Sequence, residues 1–306
     1  MFESRRLVAL AAVSVAIAVG AGGPVRAWGP AGHEMVAQAA YAQLTAKQKQ
    51  RFDAILKGGG GLHEQYDDKT GQSHTCGATT LNQLAVWADC VRYGGTYAYT
   101  YDNHFDDIPL CPKPKATRAD YCNDMKVCAT MSLPDWVAKL KAPATSDHDR
   151  AVALAMVVHI VGDLHQPLHT ETNNDTGGNS VTVQVSTPAA PDKPFTTKLH
   201  KVWDGDVVKA AFPTQAEGVK AVSQAAGALM NSAQAKSADY QAWASATHAI
   251  AVDAYGKLSP PISCKAAPKG AHAIAPAYFT DFSNDVVKGQ LALGAARLAT
   301  VLQGAL

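Results

Sequence analysis

The chain contains nine residues that suit a zinc site, spread over five separate stretches of the sequence. They are Trp28, His33, Asp89, His104, His159, Asp163, His169, His200 and Asp204. The groups on offer are imidazoles, carboxylates and, at Trp28, a backbone amine and carbonyl, with no thiolate among them. Nitrogen and oxygen ligands of this kind are typical of zinc sites that activate water. The residue types therefore indicate metal-assisted hydrolysis.

The densest stretch runs from His159 to His169 at the end of a predicted helix over 147–164. His159 and Asp163 are four residues apart, so both side chains lie on one helical face. Buried polar groups need partners, and either a shared metal or a direct hydrogen bond between the two would supply one. His165 lies about 200° around the helix from the same face and should point away from it. Pro167 ends the helix, which turns His169 in a different direction.

Two further pairs have helical spacing. His200 and Asp204 are four apart, and Asp89 and Arg92 are three apart. Each pair has an ordinary interpretation as a solvated ion pair. The functional interpretation is that the acids and His200 bind metal while the guanidinium of Arg92 binds a phosphate.

Trp28 becomes a metal ligand only if it is the first residue of the mature protein. Residues 1–27 resemble a secretory signal peptide, with Arg5 and Arg6 before an apolar run over 7–19 and a cleavage site at 25–27. Cleavage there would free the Trp28 amine, which binds metal when neutral, beside its own carbonyl. The apolar run is short for a membrane anchor. We therefore predict a soluble protein that is secreted or periplasmic, with an uncleaved anchor as the alternative.

The net charge and the cysteines bear on how the protein attracts phosphate and on its cellular compartment. The formal net charge is only +1, whereas a protein that binds nucleic acid by bulk electrostatics carries an excess of basic residues. Any attraction for phosphate must therefore be local. The six cysteines of an exported chain suggest up to three disulfides. The most plausible pair is Cys122–Cys128, and the further candidates are Cys76–Cys90 and Cys111–Cys264.

The periodicity predicts a mainly α, single domain over 28–306 with one small β-hairpin. Apolar residues at helical spacing predict helices over 34–44, 46–57, 79–89, 134–140, 147–164, 203–211, 214–233, 240–255 and 276–302. The hairpin pairs 180–185 with 195–199. We interpret 62–78 as a loop and 94–115 as irregular.

These residues and spacings resemble the S1/P1 nuclease family, which is related to zinc-dependent phospholipase C. The most specific signature is His-Ile-Val-Gly-Asp-Leu-His-Gln-Pro-Leu-His from His159, and the segment Gly177-Gly178-Asn179 also matches. The resemblance covers residues 28 to about 300 and implies the helical phospholipase C/P1 nuclease-like fold with three zinc ions. In this assignment one zinc is held by Trp28, His33 and Asp163, the second by Asp89, His104, His159 and Asp163, and the third by His169, His200 and Asp204.

The resemblance also implies an activity and a substrate. The family cleaves single-stranded DNA and RNA at the 3′ O–P bond to leave 5′-nucleotides, and a 3′-nucleotidase activity is an open addition. Asp89, Arg92, Asp163 and Asn179 are the candidate catalytic residues. Phe105 resembles the family's base-stacking residue, with a core role as the alternative, and Asp107 is a candidate for hydrogen bonding to the base. The expected partners are nucleic acid and nucleotides, bound by a monomer.

Two other interpretations stay open. A zinc-dependent phospholipase C would share the fold and the metals, although related phospholipases carry Glu where this chain has Asp204. A non-enzymatic zinc-binding protein would keep the ligands and lose reaction-centre residues such as Arg92, which is present here.

Overall fold

The computed structural model describes residues 28–111, 122, 127–263 and 270–306 and is mainly α-helical, as predicted. The predicted signal peptide lies outside the described residues. The helices are α1 (Pro30–Ala42), α2 (Ala46–Lys57), α3 (Leu81–Val91), α4 (Ala129–Lys141), α5 (Asp147–Asp163), α6 (Leu199–Lys201), α7 (Val207–Ala211), α8 (Gln215–Leu229), α9 (Ala233–Lys236), α10 (Tyr240–Gly256), α11 (Pro276–Phe282) and α12 (Lys288–Ala305). Two 3₁₀ segments, Gly95–His104 and Pro167–His169, matter for the site.

Helix α5 is the centre of the fold. Its residues from Arg150 to Asp163 are all buried, because apolar side chains surround the helix on every face. It packs against α2, α3, α4 and α12, and α1 packs in turn against α3, α8 and α12. Ser146 caps its N-terminus by accepting a hydrogen bond from the Asp149 backbone N–H at 3.1 Å. His159 and Asp163, the polar residues near its C-terminal end, are therefore buried in the interior.

The described strands form two small sheets, where one hairpin was predicted. The predicted hairpin is present as β3 (Thr182–Thr187) paired antiparallel with β4 (Ala190–Lys198). A fifth strand, β5 (Ala271–Ile274), extends it by pairing parallel with β3.

The prediction of a loop over 62–78 was wrong, because β1 (Leu62–Asp67) and β2 (Ser73–Ala78) form the second sheet as an antiparallel hairpin. Only a few inward residues are apolar, so the alternation is weak in the sequence. Cys76 is disulfide-bonded to Cys90 of α3, which fixes the hairpin to the helical core. Glu64 also accepts a hydrogen bond from the Thr96 backbone N–H at 2.8 Å. Tertiary contacts, and not local propensity, stabilise these strands.

Several helix boundaries also differ from the predictions. Helix α4 begins at Ala129 and includes Pro134, because the Asp106 carboxylate accepts the Thr130 backbone N–H at 3.0 Å and caps the first turn. The helix predicted over 214–233 is interrupted after α8, and Ser232 caps the short α9. The helix predicted over 276–302 contains a π-helical turn, Ser283–Val287, between α11 and α12.

The disulfides Cys76–Cys90 and Cys122–Cys128 are confirmed. The predicted pair Cys111–Cys264 involves Cys264, which lies outside the described residues. Across the part of the chain that is described, the helices lack the combination of length and apolarity that crossing a membrane requires.

Candidate metal centre

Helix α5 supplies the central pair of the site. His159 and Asp163 are one turn apart, with His159 Nε2 3.3 Å from Asp163 Oδ2. His159 Nδ1 donates to the carbonyl oxygen of Ala85 at 2.7 Å, so Nε2 is the nitrogen that faces the carboxylate. Burial lowers the pKa of His159, but Asp163 and Asp89 raise it above its ordinary value. A positive charge, either a proton or a metal ion, is therefore favoured between the ring and the acids.

A first group forms where α3 and the 3₁₀ segment Gly95–His104 meet α5. His104 Nδ1 is 3.0 Å from Asp163 Oδ2 and 3.7 Å from Asp89 Oδ1, and His159 Nε2 is 3.5 Å from Asp89 Oδ1. All four side chains are buried. Burial alone would raise the pKa of Asp89, but Arg92 and His159 hold it below its ordinary range. Two buried carboxylates this close to each other require a compensating cation.

A second group adds His33 of α1 on the other side of Asp163. His33 Nε2 lies 3.2 Å from Asp163 Oδ1, and its ring stacks on that of His159 with centroids 3.9 Å apart. Burial, followed by repulsion from His159, lowers the pKa of His33 to about 4, which keeps the imidazole neutral. Asp163 thus directs Oδ1 to one group and Oδ2 to the other, which is the geometry of a bridging carboxylate.

A third group combines His169 with His200 and Asp204. His169 Nδ1 donates to the His104 carbonyl at 2.7 Å, and His200 Nδ1 donates to the Gly177 carbonyl at 2.6 Å. The two Nε2 atoms are 3.2 Å apart, and His200 Nε2 is 3.6 Å from Asp204 Oδ1. Burial lowers the pKa of both histidines, that of His200 to about 3, so each Nε2 carries a lone pair. Two lone pairs directed at one point beside a carboxylate are the arrangement that a cation stabilises.

Gln166 orients the carboxylate of the third group. Its side-chain amide donates to Asp204 Oδ1 at 2.9 Å, and its carbonyl oxygen accepts the Leu168 backbone N–H at 2.6 Å. Burial raises the pKa of Asp204 well above its ordinary value, and the hydrogen bond from Gln166 opposes that rise. The amide therefore favours the ionised form of Asp204, which is the form that binds a metal.

The arrangement of the donor atoms favours metal binding over hydrogen bonding among the side chains. Ligand atoms lie within 4.8 Å of one another in each of three sets, which are His33 with His159 and Asp163, Asp89 with His104 and His159, and His169 with His200 and Asp204. Several are buried without a hydrogen-bond partner, namely His33 Nε2, Asp89 Oδ1 and Oδ2, His159 Nε2 and Asp163 Oδ1. Buried polar atoms left unpaired cost about 1–3 kcal/mol each. Imidazole and carboxylate donors converging in this way fit a metal such as zinc.

Trp28 lies at the start of the described chain, two residues before α1, the helix that carries His33. Its side chain is fully buried. The backbone N–H of the next residue, Gly29, donates to the Asp204 carbonyl oxygen at 2.7 Å, which ties this end of the chain to the segment that carries Asp204. A Cβ on Gly32 would lie 2.8 Å from Trp28 Cβ, so α1 packs tightly under the residue. Metal binding by the Trp28 amine stays a prediction.

The third group lines a cleft of about 640 Å³ through His169 and His200. Arg92, Asn179, Phe105 and Asp107 line the same cleft. The structure thus places eight of the nine predicted ligands in three groups and places Arg92, Asn179, Phe105 and Asp107 in the cleft lining, while the roles of all these residues stay predictions.

Arg92 lies between the first group and the cleft. It is 6% exposed, and its Nη2 is 3.2 Å from Asp89 Oδ1. The same nitrogen donates to the Tyr93 hydroxyl at 2.8 Å. These contacts orient the guanidinium, which lines the cleft where an anion would contact it.

Asn179 follows a turn that requires glycine. Gly177 has φ of 57°, and a Cβ there would overlap the Leu168 carbonyl oxygen. The turn directs the Gly177 carbonyl to His200 and places Asn179 in the cleft wall. Asn179 Nδ2 donates to the Thr176 carbonyl at 2.8 Å, while its Oδ1 is buried without a hydrogen-bond partner. One hydrogen bond therefore fixes the Asn179 side chain, and its Oδ1 is left as an acceptor.

Phe105 and Asp107 line the same cleft. Phe105 is partly buried, and its ring meets that of Tyr101 edge-on with centroids 5.8 Å apart. Burial raises the pKa of Asp107 to about 6, and repulsion from Asp102 adds to the shift.

His165 points away from the metal groups, as predicted from its helical position. Its Nδ1 donates to the Val161 carbonyl at 2.7 Å, and its Nε2 accepts from Arg297 Nη1 at 2.8 Å. Sequence reasoning missed Gln166, which sits inside the recognised motif, and the cleft-lining Tyr93 and Tyr101. The unusual number of tyrosines before His104 was the one available signal for the last two.

A family model described as S1/P1 Nuclease matches residues 28–306. This chain belongs to the S1/P1 nuclease family. Nuclease S1 of Aspergillus oryzae is 30% identical over 209 residues, which are 67% of this chain and 62% of that protein. Endonuclease 2 of Arabidopsis thaliana is 25% identical over 61% of this chain and 58% of its own length. Nuclease P1 of Penicillium citrinum is 26% identical over 58% of this chain and 57% of its own length.

The matched part of the chain therefore spans less than two thirds of each of these S1/P1 nuclease family relatives. Membership in the S1/P1 nuclease family agrees with the mainly α fold and with the three histidine and aspartate groups found here.

Proposed function

We propose that this protein is an exported, zinc-dependent nuclease that hydrolyses phosphodiester bonds of single-stranded DNA and RNA. The cut is at the 3′ O–P bond and leaves 5′-nucleotides, and 3′-nucleotides are a second substrate class. The observation that carries the proposal is the presence of three buried histidine and aspartate groups, two of which share His159 and the third of which lines a cleft through His169 and His200.

Each ligand group holds one zinc ion in this proposal. Trp28, through its amine and carbonyl, joins His33 and Asp163 in the second group. Asp89, His104 and His159 complete the first group, with Asp163 as the bridge, and the third comprises His169, His200 and Asp204. Zinc supplies positive charge for phosphoryl oxygens and makes water nucleophilic near neutral pH.

The protein's own residues position and neutralise the substrate. The guanidinium N–H groups of Arg92 donate to non-bridging phosphoryl oxygens, where negative charge builds up during hydrolysis of the phosphodiester. Its contacts with Asp89 and Tyr93 fix its direction before substrate arrives. Asn179 offers its unpaired Oδ1 to a donor group of the nucleotide.

Two residues of the cleft lining support the proposed preference for single strands. Phe105 provides a ring face on which an unstacked base can rest, and bases inside a duplex are unavailable for such stacking. Asp107 accepts a hydrogen bond from a base edge when it is ionised. The paired disulfides and the predicted cleavage before Trp28 support export, to a periplasm or beyond the cell, and we expect a monomer.

The proposal is tested with the mature protein, beginning at Trp28, by metal analysis together with nuclease assays. We expect about three zinc ions per chain, in line with the three ligand groups. We also expect release of 5′-nucleotides from single-stranded DNA and RNA, loss of activity with a chelator and recovery with added zinc. Zinc binding without any hydrolysis would favour a non-enzymatic zinc-binding protein.

A liposome assay in parallel tests the other enzymatic interpretation. Phosphatidylcholine vesicles are incubated with the same enzyme preparation, and release of phosphocholine is measured. Lipid hydrolysis without release of nucleotides would establish a zinc-dependent phospholipase C and reject the nuclease.

A further inference from the structure

Three tyrosines in the 3₁₀ segment Gly95–His104 have different surroundings. Tyr97 is a core residue, since it is 8% exposed, packs on Trp87 and hydrogen-bonds His148 at 2.9 Å. Tyr99 is 61% exposed and does not line the cleft. Tyr101 is 41% exposed and does line it. Tyr97 is therefore a residue of the core, whereas Tyr101 is a half-exposed residue of the cleft.

Tyr101 belongs to a row of rings along one wall of the cleft. Its centroid is 5.8 Å from that of Tyr93 and 5.8 Å from that of Phe105, and both contacts are edge-on. Edge contacts of this kind fix ring positions while leaving ring surface exposed. A ring that is already ordered loses little side-chain entropy when a ligand stacks on it.

Arg92 connects this row to the metal groups. Its guanidinium carbon lies 4.9 Å from the Tyr93 centroid and 5.7 Å from the Tyr101 centroid, and the same side chain forms an ion pair with Asp89. A phosphate held by Arg92 would therefore have Tyr101 within reach of a base on the same nucleotide or its neighbour. Phe105, directly after His104, is the next ring along the wall.

We propose that Tyr101 is a second nucleobase-stacking position beside Phe105, so that the cleft holds two consecutive unpaired nucleotides around the phosphate at Arg92. This inference rests on the proposed function for its substrate class. It adds that the minimum well-bound substrate has two splayed bases, and that either base can be a purine or a pyrimidine because every base has a stacking face. Asp102 and Asp107 line the same cleft and would repel the sugar–phosphate backbone, whereas Arg92 would attract it.

The test combines substitutions in the protein with removal of single bases from the substrate. Zinc-loaded wild type, Tyr101→Ala, Tyr101→Phe and Tyr99→Ala are compared on a short single-stranded DNA. Companion DNAs carry one abasic nucleotide, placed in turn at each position next to the cleaved bond. Binding is measured separately by fluorescence anisotropy with a phosphorothioate-linked oligonucleotide that resists hydrolysis.

Tyr101→Ala should raise KM and Kd by roughly 5- to 100-fold, the range of stacking on one aromatic side chain. One of the abasic DNAs should bind wild type as weakly as it binds Tyr101→Ala, because the base that stacks on Tyr101 is missing. Tyr101→Phe should retain the stacking, and Tyr99→Ala should match wild type.

Equal behaviour of Tyr101→Ala and Tyr99→Ala would overturn the inference while leaving the nuclease proposal intact. A loss in Tyr101→Ala that persists undiminished with every abasic DNA would also overturn it, because it would reflect displacement of Phe105 or Arg92. Absence of hydrolysis by wild type would reject the proposed function, and the anisotropy comparison would still decide whether Tyr101 binds a base.

Discussion

Gly162 of α5 lies so close to His33 of α1 that a Cβ atom at position 162 would be 2.7 Å from His33 Nδ1. The two helices approach at this point without an intervening side chain. This approach lets His33 Nε2 reach Asp163 Oδ1 at 3.2 Å, although His33 and Asp163 are far apart in sequence. A glycine inside a buried helix costs stability relative to alanine, so its position here is explained by the site.

Gly162→Ala should displace His33 and weaken one of the bound metals by roughly 10- to 100-fold, as disturbed metal ligands commonly do. The measurements are zinc content by elemental analysis and turnover of single-stranded DNA. Gly289→Ala in α12 is the matched control, because a Cβ there meets no atom within 4 Å. It should keep full zinc content and gain up to about 1 kcal/mol in stability. Equal zinc content in both variants would contradict the role given to the Gly162 contact.

Asp163→Asn should reduce turnover by more than about 100-fold and lower zinc content, because a neutral amide cannot serve as a charged bridge between two metals. The side chain keeps nearly the same size, so folding by circular dichroism should be retained. Asp281→Asn is the control, since that exposed acid pairs only with Lys257 at 3.3 Å among the described ion pairs. Full activity of Asp163→Asn would refute the bridging role.

Gln166→Leu should weaken zinc binding at the third group by about 10- to 100-fold, because Asp204 loses the donor that orients it. Competition with a chromogenic chelator measures the affinity. Gln290→Leu removes another buried amide, one that donates to the His165 carbonyl, away from the metals. Gln290→Leu should lower thermal stability without changing zinc affinity. A similar zinc affinity in the two variants would show that Gln166 does not support zinc binding.

Adding one alanine before Trp28 of the mature protein should displace the terminal amine and reduce the zinc bound with His33. Elemental analysis and turnover are compared for proteins that begin at Trp28 and at the added alanine. Normal zinc content with normal turnover in the extended protein would show that the Trp28 amine is not a ligand.

Asp107 should make stability depend on pH in the acid range. Burial raises its pKa in the folded protein to about 6. Below about pH 4 the carboxyl group is protonated in both states. Between about pH 4 and pH 6 the unfolded chain loses this proton more readily, so the free energy of unfolding falls as pH rises and levels off above the folded pKa. Asp107→Asn should therefore gain stability relative to wild type on going from pH 4 to pH 7 in urea titrations. A constant difference between the two proteins across that range would contradict the raised pKa.

Local patterns in the sequence were sufficient for most helices and for the pairing of groups within a helix. The helical spacing of apolar residues over 46–57 and 147–164 is a local property, and both predicted helices are present. His159 with Asp163 and His200 with Asp204 also followed from helical spacing alone. The family resemblance supplied the remaining candidates, since no spacing relates His33 to residues more than a hundred positions later.

The tertiary structure decided what these residues face. The hairpin Leu62–Ala78 depends on Cys90 and Thr96, and the start of α4 depends on Asp106, so local propensity did not predict either. The ring orientations in the site depend on hydrogen bonds to the backbone carbonyl oxygens of Ala85, His104 and Gly177. Because every residue has a carbonyl oxygen, the sequence does not show which ones accept these hydrogen bonds. Sequence therefore determined which groups are able to bind metal. Packing of distant segments determined their convergence, because long-range contacts carry no local periodic signal.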